Sequence, residues 1–200
     1  MSRLTSLALL FALGATAFAP ATSFATYLAP DTDPRAFVLN TTDLGTGFRM
    51  NSDQSGPRPN EAATSRDDVM RYQQWGRLAG YSAQFERESS LLTQLVGSGL
   101  IVQAVSLYRT PDGAQAAFDY SRQRNGQSME LLGTPQVGDA SLAFRSRQQS
   151  TNGAPAADGI VIQFRKGNLV QTVVVAGPMG APLMDEAMNL AQVAASRVPD

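Results

Sequence analysis

The sequence predicts an α+β fold: one antiparallel sheet of about five strands with helices packed on it, in the order ααββαβββα. Three observations predict it. Five segments carry the alternation or the apolar run of a strand, and short turns join most of them, which makes neighbours antiparallel. A helical pattern starting at Thr110 supplies the one long crossover. The segment Leu169 to Ala176 is apolar on both faces, with Leu169, Val173 and Val175 on one and Val170 and Val174 on the other. Such a strand belongs at the centre of a sheet that is covered on both sides, so Val173 and Val174 are both expected to be buried.

The elements follow in order. Asp33-Pro34 reads as a cap with Pro at the first helical position, starting a short helix through Ala36, Phe37, Val38 and Leu39. Asp43 to Phe48 turns the chain, and Asn51 to Ser65, rich in Ser, Asp, Gly, Pro and Asn, reads as a mobile surface loop. Ser65 caps a helix with Asp67 and Asp68 in its first turn and Val69, Tyr72 and Trp75 along one face; Gly80 ends it. Tyr81 to Glu86 alternates as a half-buried strand, Gly97 and Gly99 mark a turn, and Leu100 to Arg109 is its hairpin partner. Thr110 and Pro111 start a helix whose Ala114, Ala117, Phe118 and Ser121 share a face, and Asn125-Gly126 stops it. Three strands follow: Ser141 to Arg147, Ile160 to Arg165 and Leu169 to Ala176. A flexible loop, Gln148 to Gly159, separates the first two, and a tight turn, Lys166 to Asn168, separates the last two. Ala181 to Val198 closes the chain as a helix with a broad apolar stripe.

The first 25 residues read as an address. Arg3 precedes an apolar run from Leu4 to Ala19 that is short for a bilayer span. Ser23-Phe24-Ala25 is a small-x-small site, which places the expected cut after Ala25; the alternative is an uncut N-terminal anchor. Thr26 to Pro34 is then a flexible, Pro/Asp-rich lead-in, and residues 35–200 form one α+β domain. The expected location is periplasmic, cell-envelope or secreted, with no membrane span after signal removal.

Composition narrows the chemistry. The 200 residues include no His and no Cys. A Ser-His-Asp triad, a cysteine nucleophile, a His/Cys zinc site, a redox dithiol and a lipid-bearing cysteine are therefore excluded. With 16 Lys+Arg against 17 Asp+Glu the net charge is −1, which gives no electrostatic reason to expect nucleic acid. No cofactor, metal or catalytic residue is expected. Gly45-x-Gly47 lacks the further glycine of a dinucleotide loop. Asp67, Asp68, Asp185 and Glu186 fit the first turns of helices, Glu86 and Glu88 the polar face of a strand, and Lys166 a hairpin tip. Asn40-Thr41-Thr42 matches a glycosylation sequon, with a short helix the simpler use of those residues.

Aromatic residues come from several elements: Tyr72, Trp75, Tyr81, Phe85, Tyr108, Phe118, Phe144 and Phe164. Core filling accounts for most such sets. The functional reading is a partly apolar cleft between the sheet and the Tyr72–Trp75 helix, with Tyr72, Trp75, Tyr81, Phe85 and Tyr108 as candidate ligand-binding residues.

Three stretches carry a resemblance. They are Leu39-x-x-x-Asp43-Leu44-Gly45-x-Gly47-Phe48, Tyr108 to Ala114 continuing to Ala117-Phe118, and Val137-Gly138-Asp139-Ala140-Ser141. Together they resemble a pattern in exported bacterial proteins of unknown function. More distantly, the chain is similar to the extracellular sensor domains of actinobacterial serine/threonine kinases and related cell-envelope lipoproteins. The sensor domains carry disulfides and a membrane helix; this chain has no cysteine, and no membrane helix is expected in it after signal removal. The resemblance implies an envelope-side binding domain with a cleft and names no ligand.

Three functions compete on this reading. The first is an exported, non-catalytic domain holding a small apolar or amphipathic ligand. The second is a structural or protein–protein interaction module that docks on another envelope protein. The third is a hydrolase working with carboxylates alone, which needs two of them facing each other across a substrate.

Overall fold

In the computed structural model, which describes residues 27–88, 97–149 and 156–200, eight strands form one antiparallel sheet. The expected export signal and its cleavage site lie outside the described residues. In chain order the elements are β1 (Phe48–Met50), β2 (Gly56–Pro57), α1 (Arg66–Gln74), β3 (Arg77–Arg87), β4 (Leu100–Tyr108) and α2 (Pro111–Ser128). They continue with β5 (Glu130–Gly133), β6 (Ala140–Gln148), β7 (Ala157–Lys166), β8 (Leu169–Pro178) and α3 (Leu183–Ser196). Across the sheet the order is β1-β3-β4-β8-β7-β6-β5, with β2 also paired to β3.

The five long strands coincide with the five read from the sequence, and β3 pairs with β4 as expected. The strand count does not hold, because β1, β2 and β5 add three. Each has four residues or fewer, too short for alternation to register. The order ααββαβββα is likewise replaced by the longer one above.

Other boundaries shift for local reasons. The first helix is a 3-10 turn, Pro34–Phe37, capped by the Asp33 side chain. The Asn40 side chain caps a second short 3-10 turn, Thr41–Asp43, so the sequon residues are used there. Gly80 lies inside β3 and does not end α1; that helix stops at Gln74, and Gly76 makes the turn at φ +68°. Gly126 does not stop α2, which runs on until the Met129 N–H caps the Asn125 carbonyl. The polar segment after Asn51 is fastened to β3: Asn51 N donates to Gln84 O, Gln84 N to Ser55 Oγ, and Arg58 N to Gly80 O.

β8 lies between β4 and β7, and alternation along these strands builds two cores. On one face Ile101, Val105 and Leu107 of β4, Ile160, Ile162 and Phe164 of β7, and Leu169, Val173 and Val175 of β8 pack with α3. The helix contributes Leu183, Ala187, Leu190, Ala191 and Ala194, whose small members let it lie close to the sheet. On the other face Ala114, Ala117 and Phe118 of α2 cover Tyr108, Leu142, Phe144, Val161 and Val170. Val173 is fully buried, but Val174 is half-buried, contrary to expectation, because α2 covers only part of its face.

Polar residues complete the α3-side core. Gln103, fully buried, accepts from Leu39 N at 2.6 Å and donates to Phe37 O and Gln171 Oε1, clamping the first turn onto the sheet. Asn168 anchors the lead-in at Leu28 through both its side-chain atoms. Lys166 is not a free charge at its hairpin tip: its Nζ donates to Val198 O and Asp200, tying down the C-terminus.

Candidate functional site

The five sequence-predicted site residues divide between the two faces of the sheet. Phe85 is fully buried and Tyr81 partly buried against the core under α3. Tyr108 and Trp75 belong to the core under α2, and Tyr72 adjoins Trp75. Tyr72, Trp75 and Tyr108 therefore come together, while Tyr81 and Phe85 are separated from them by the sheet.

The Tyr72–Trp75 helix is held by its neighbour. The Tyr72 and Trp75 rings meet edge-on with centroids 6.5 Å apart, and Trp75 packs on Tyr120 of α2 at 5.3 Å. This pairing depends on close approach at the start of α2. A Cβ on Gly113 would sit 2.0 Å from the Trp75 carbonyl oxygen, so glycine is required there. Charged groups surround the rings. Asp68 accepts from the Tyr120 hydroxyl at 3.3 Å and Arg124 at 3.4 Å; Arg71 lies 3.6 Å from the same carboxylate and stacks over the Tyr120 ring. The acid that looked like simple helix-terminal charge is in fact a buried link from α1 to α2.

The Asp68 pKa is lowered, first by hydrogen bonding with the Ser65 side chain and further by Arg124 and Tyr120, against the opposing effect of burial. A carboxylate held below its unfolded pKa contributes stability that is complete above that value, about 4 for Asp, and is lost as pH falls through the folded pKa. Acid is therefore expected to loosen α1 from α2 and change the emission of Trp75, the only Trp. Asp68→Asn should remove most of that acid-dependent change, which a fluorescence titration from neutral pH to pH 2 measures. An unaltered titration in the variant would refute the link.

Two open grooves lie on the opposite flank of α2. The first, of about 540 Å³, is mostly apolar and is lined by Leu131 of β5, Phe144 of β6 and the α2 residues Asp119, Arg122, Gln123, Gly126 and Gln127. The second, of about 570 Å³, is mostly polar; Gln115, Asp119 and Arg122 of α2 face Thr134 to Leu142 across it. Asp119 and Arg122, one helical turn apart, line both. Volumes of this size suit small molecules.

The chemistry along the grooves is graded. Leu131 is 53% exposed, an apolar side chain at the open edge of the sheet. Asp119 accepts from Gln115 Nε2 at 2.9 Å. Asp139 is occupied by Arg165 at 3.0 Å and by Gly167 N, so it is committed to holding the β7–β8 turn. Arg122 has no hydrogen-bond or ion-pair partner among the described residues. Phe118, which also lines the polar groove, and Phe144 are the lining residues that the sequence marks as aromatics, without placing them at a groove. Among the described residues no group of three acidic side chains is arranged to hold a metal ion.

No family model matches the chain, and no curated protein matches it. Among solved structures, the fold is similar to that of the extracellular domain of PknH from Mycobacterium tuberculosis. The TM-score is 0.53 at 16% identity, covering 82% of this chain and 92% of that one. A solved structure from Bacteroides thetaiotaomicron VPI-5482 is more loosely similar, with a TM-score of 0.39 at 12% identity over 72% of this chain and 43% of the other. The α+β architecture is thus shared with an extracellular domain. No helix among the described residues is long and apolar enough to cross a membrane.

Proposed function

We propose that this chain is an exported, non-catalytic binding domain that holds a small amphipathic ligand along α2. The observation that carries the reading is the pairing of an apolar groove with a polar one across Asp119 and Arg122. An apolar tail fits against Leu131 and Phe144, while a polar head fits between Arg122 and the Thr134–Asp139 segment. The export-like leader and the fold shared with an extracellular domain support the location. The carboxylate-only hydrolase is disfavoured: Asp119 and Asp139 are the acids lining the polar groove, and Asp139 is engaged by Arg165 and a backbone amide.

Decanoate serves as a probe. Isothermal titration should show saturable binding, weakened about tenfold or more by Leu131→Asp, which places a charge where the tail would lie. Leu131 is already half in water, so the variant should keep its unfolding midpoint. Equal binding by the two proteins would place the ligand elsewhere. Absence of any binding, together with capture of an envelope protein that Leu131→Asp abolishes, would favour the interaction module.

A further inference from the structure

Arg77 is 8% exposed, and no carboxylate pairs with it among the described residues. Its Nε donates to Ser106 Oγ at 3.1 Å, and its Nη1 to Arg58 O at 2.8 Å and Asn60 Oδ1 at 2.9 Å. The guanidinium stacks 4.8 Å from the centre of the Tyr72 ring. All these partners are neutral. A buried charge without a counter-ion carries a desolvation penalty, which dipoles and a ring face offset only in part. Nη2 makes no hydrogen bond to any described residue. It lies over Gly80, where a Cβ would come within 1.8 Å of it, so the glycine makes the room that the guanidinium occupies.

Hydroxyl groups gather at the same place. Ser106 bonds Arg77 directly, and the phenol of Tyr108, whose pKa burial raises, lies within electrostatic reach of both Arg77 and Tyr72. Ser106 and Tyr72 are half-buried, so the cluster meets the surface. We propose that this cluster is an anion site, taking a carboxylate or phosphoryl oxygen on Arg77 Nη2 with the Tyr72 hydroxyl as a neutral donor. Arginine suits such groups because its planar fork presents paired donors to their oxygens. The site shares no residue with the grooves along α2 and does not depend on what they bind.

The test titrates the protein with sodium phosphate and with sodium acetate, each against sodium chloride at equal ionic strength, and follows Trp75 fluorescence. The Tyr72 ring lies 6.5 Å from that of Trp75. A saturable response to phosphate, acetate or both, absent with chloride, is expected; which salt acts identifies the class of oxyanion. Arg77→Gln should abolish the response. Tyr72→Phe, which keeps the ring and its stack, should weaken the apparent affinity about threefold to tenfold. This variant keeps the test decisive if Arg77→Gln does not fold. A response no different from that to chloride, or one unchanged in Tyr72→Phe, would overturn the proposal.

Discussion

Replacing Val173 with Asp should destabilise the protein by roughly 3 kcal/mol or more, whereas Val174→Asp should cost about 1 kcal/mol or less. The two residues are adjacent on β8 and chemically identical, so only their surroundings differ. Val173 is fully buried against the α3-side core, where a carboxylate would be cut off from water and has no cation among the described residues to pair with it. Val174 is half-buried on the face that α2 only partly covers, so an Asp there reaches solvent. Urea unfolding midpoints for the two variants measure the contrast. Equal losses would mean that both faces of β8 are covered alike.

The second large effect is expected at Asn168, which is fully buried in the turn between β7 and β8. Its Oδ1 accepts from Leu28 N at 2.8 Å, and its Nδ2 donates to Leu28 O at 3.0 Å and Tyr108 O at 2.7 Å. One side chain therefore satisfies three backbone groups from two distant parts of the chain. Leucine has a similar volume but no polar atoms. Asn168→Leu should leave all three groups unpaired, at about 1 kcal/mol or more each, for a total near 3 kcal/mol or above. Asn168→Asp keeps the acceptor and should fall between. Amide exchange at Leu28 should accelerate more than that at Val173, because the anchor of the N-terminal segment is lost directly. A loss below 1 kcal/mol in Asn168→Leu would show that the anchor is dispensable.

What the sequence made legible depended on distance along the chain. Alternation is local, so Tyr81–Glu86 and Ile160–Arg165 were readable as strands, and the double-faced run of β8 announced its central place. Helix caps are also local: Ser65 and Thr110 do what their positions predict. The edges were illegible because β1, β2 and β5 exist through pairing with a partner strand and not through a pattern of their own. Gly80 was misread because a glycine after a helix usually ends it. Its use depends on a guanidinium three residues earlier folding back over it.

The candidate site was less legible for the same reason. Tyr72, Trp75 and Tyr108 were selected for their amphipathic rings, and the fold does bring them together. Tyr81 and Phe85 looked equivalent, yet strand parity sends them to the opposite face, and no composition rule distinguishes the two faces of β3. The grooves depend on which residues of α2 overhang β5 and β6. Ala114, Ala117 and Phe118 reveal the face that meets the sheet, but not that Asp119 and Arg122 overlook an open strand edge.

An amphiphile lying along α2 would touch both the apolar and the polar groove. Amide NMR of the protein during titration with decanoate reads both grooves at once. That placement gives shifts concentrated at Leu131, Phe144, Asp119 and Arg122, extending into Thr134 to Asp139, and sparing Tyr81 and Phe85. Shifts centred on Tyr72 and Trp75 with none at Leu131 and Phe144, or no saturable shifts at all, would contradict it.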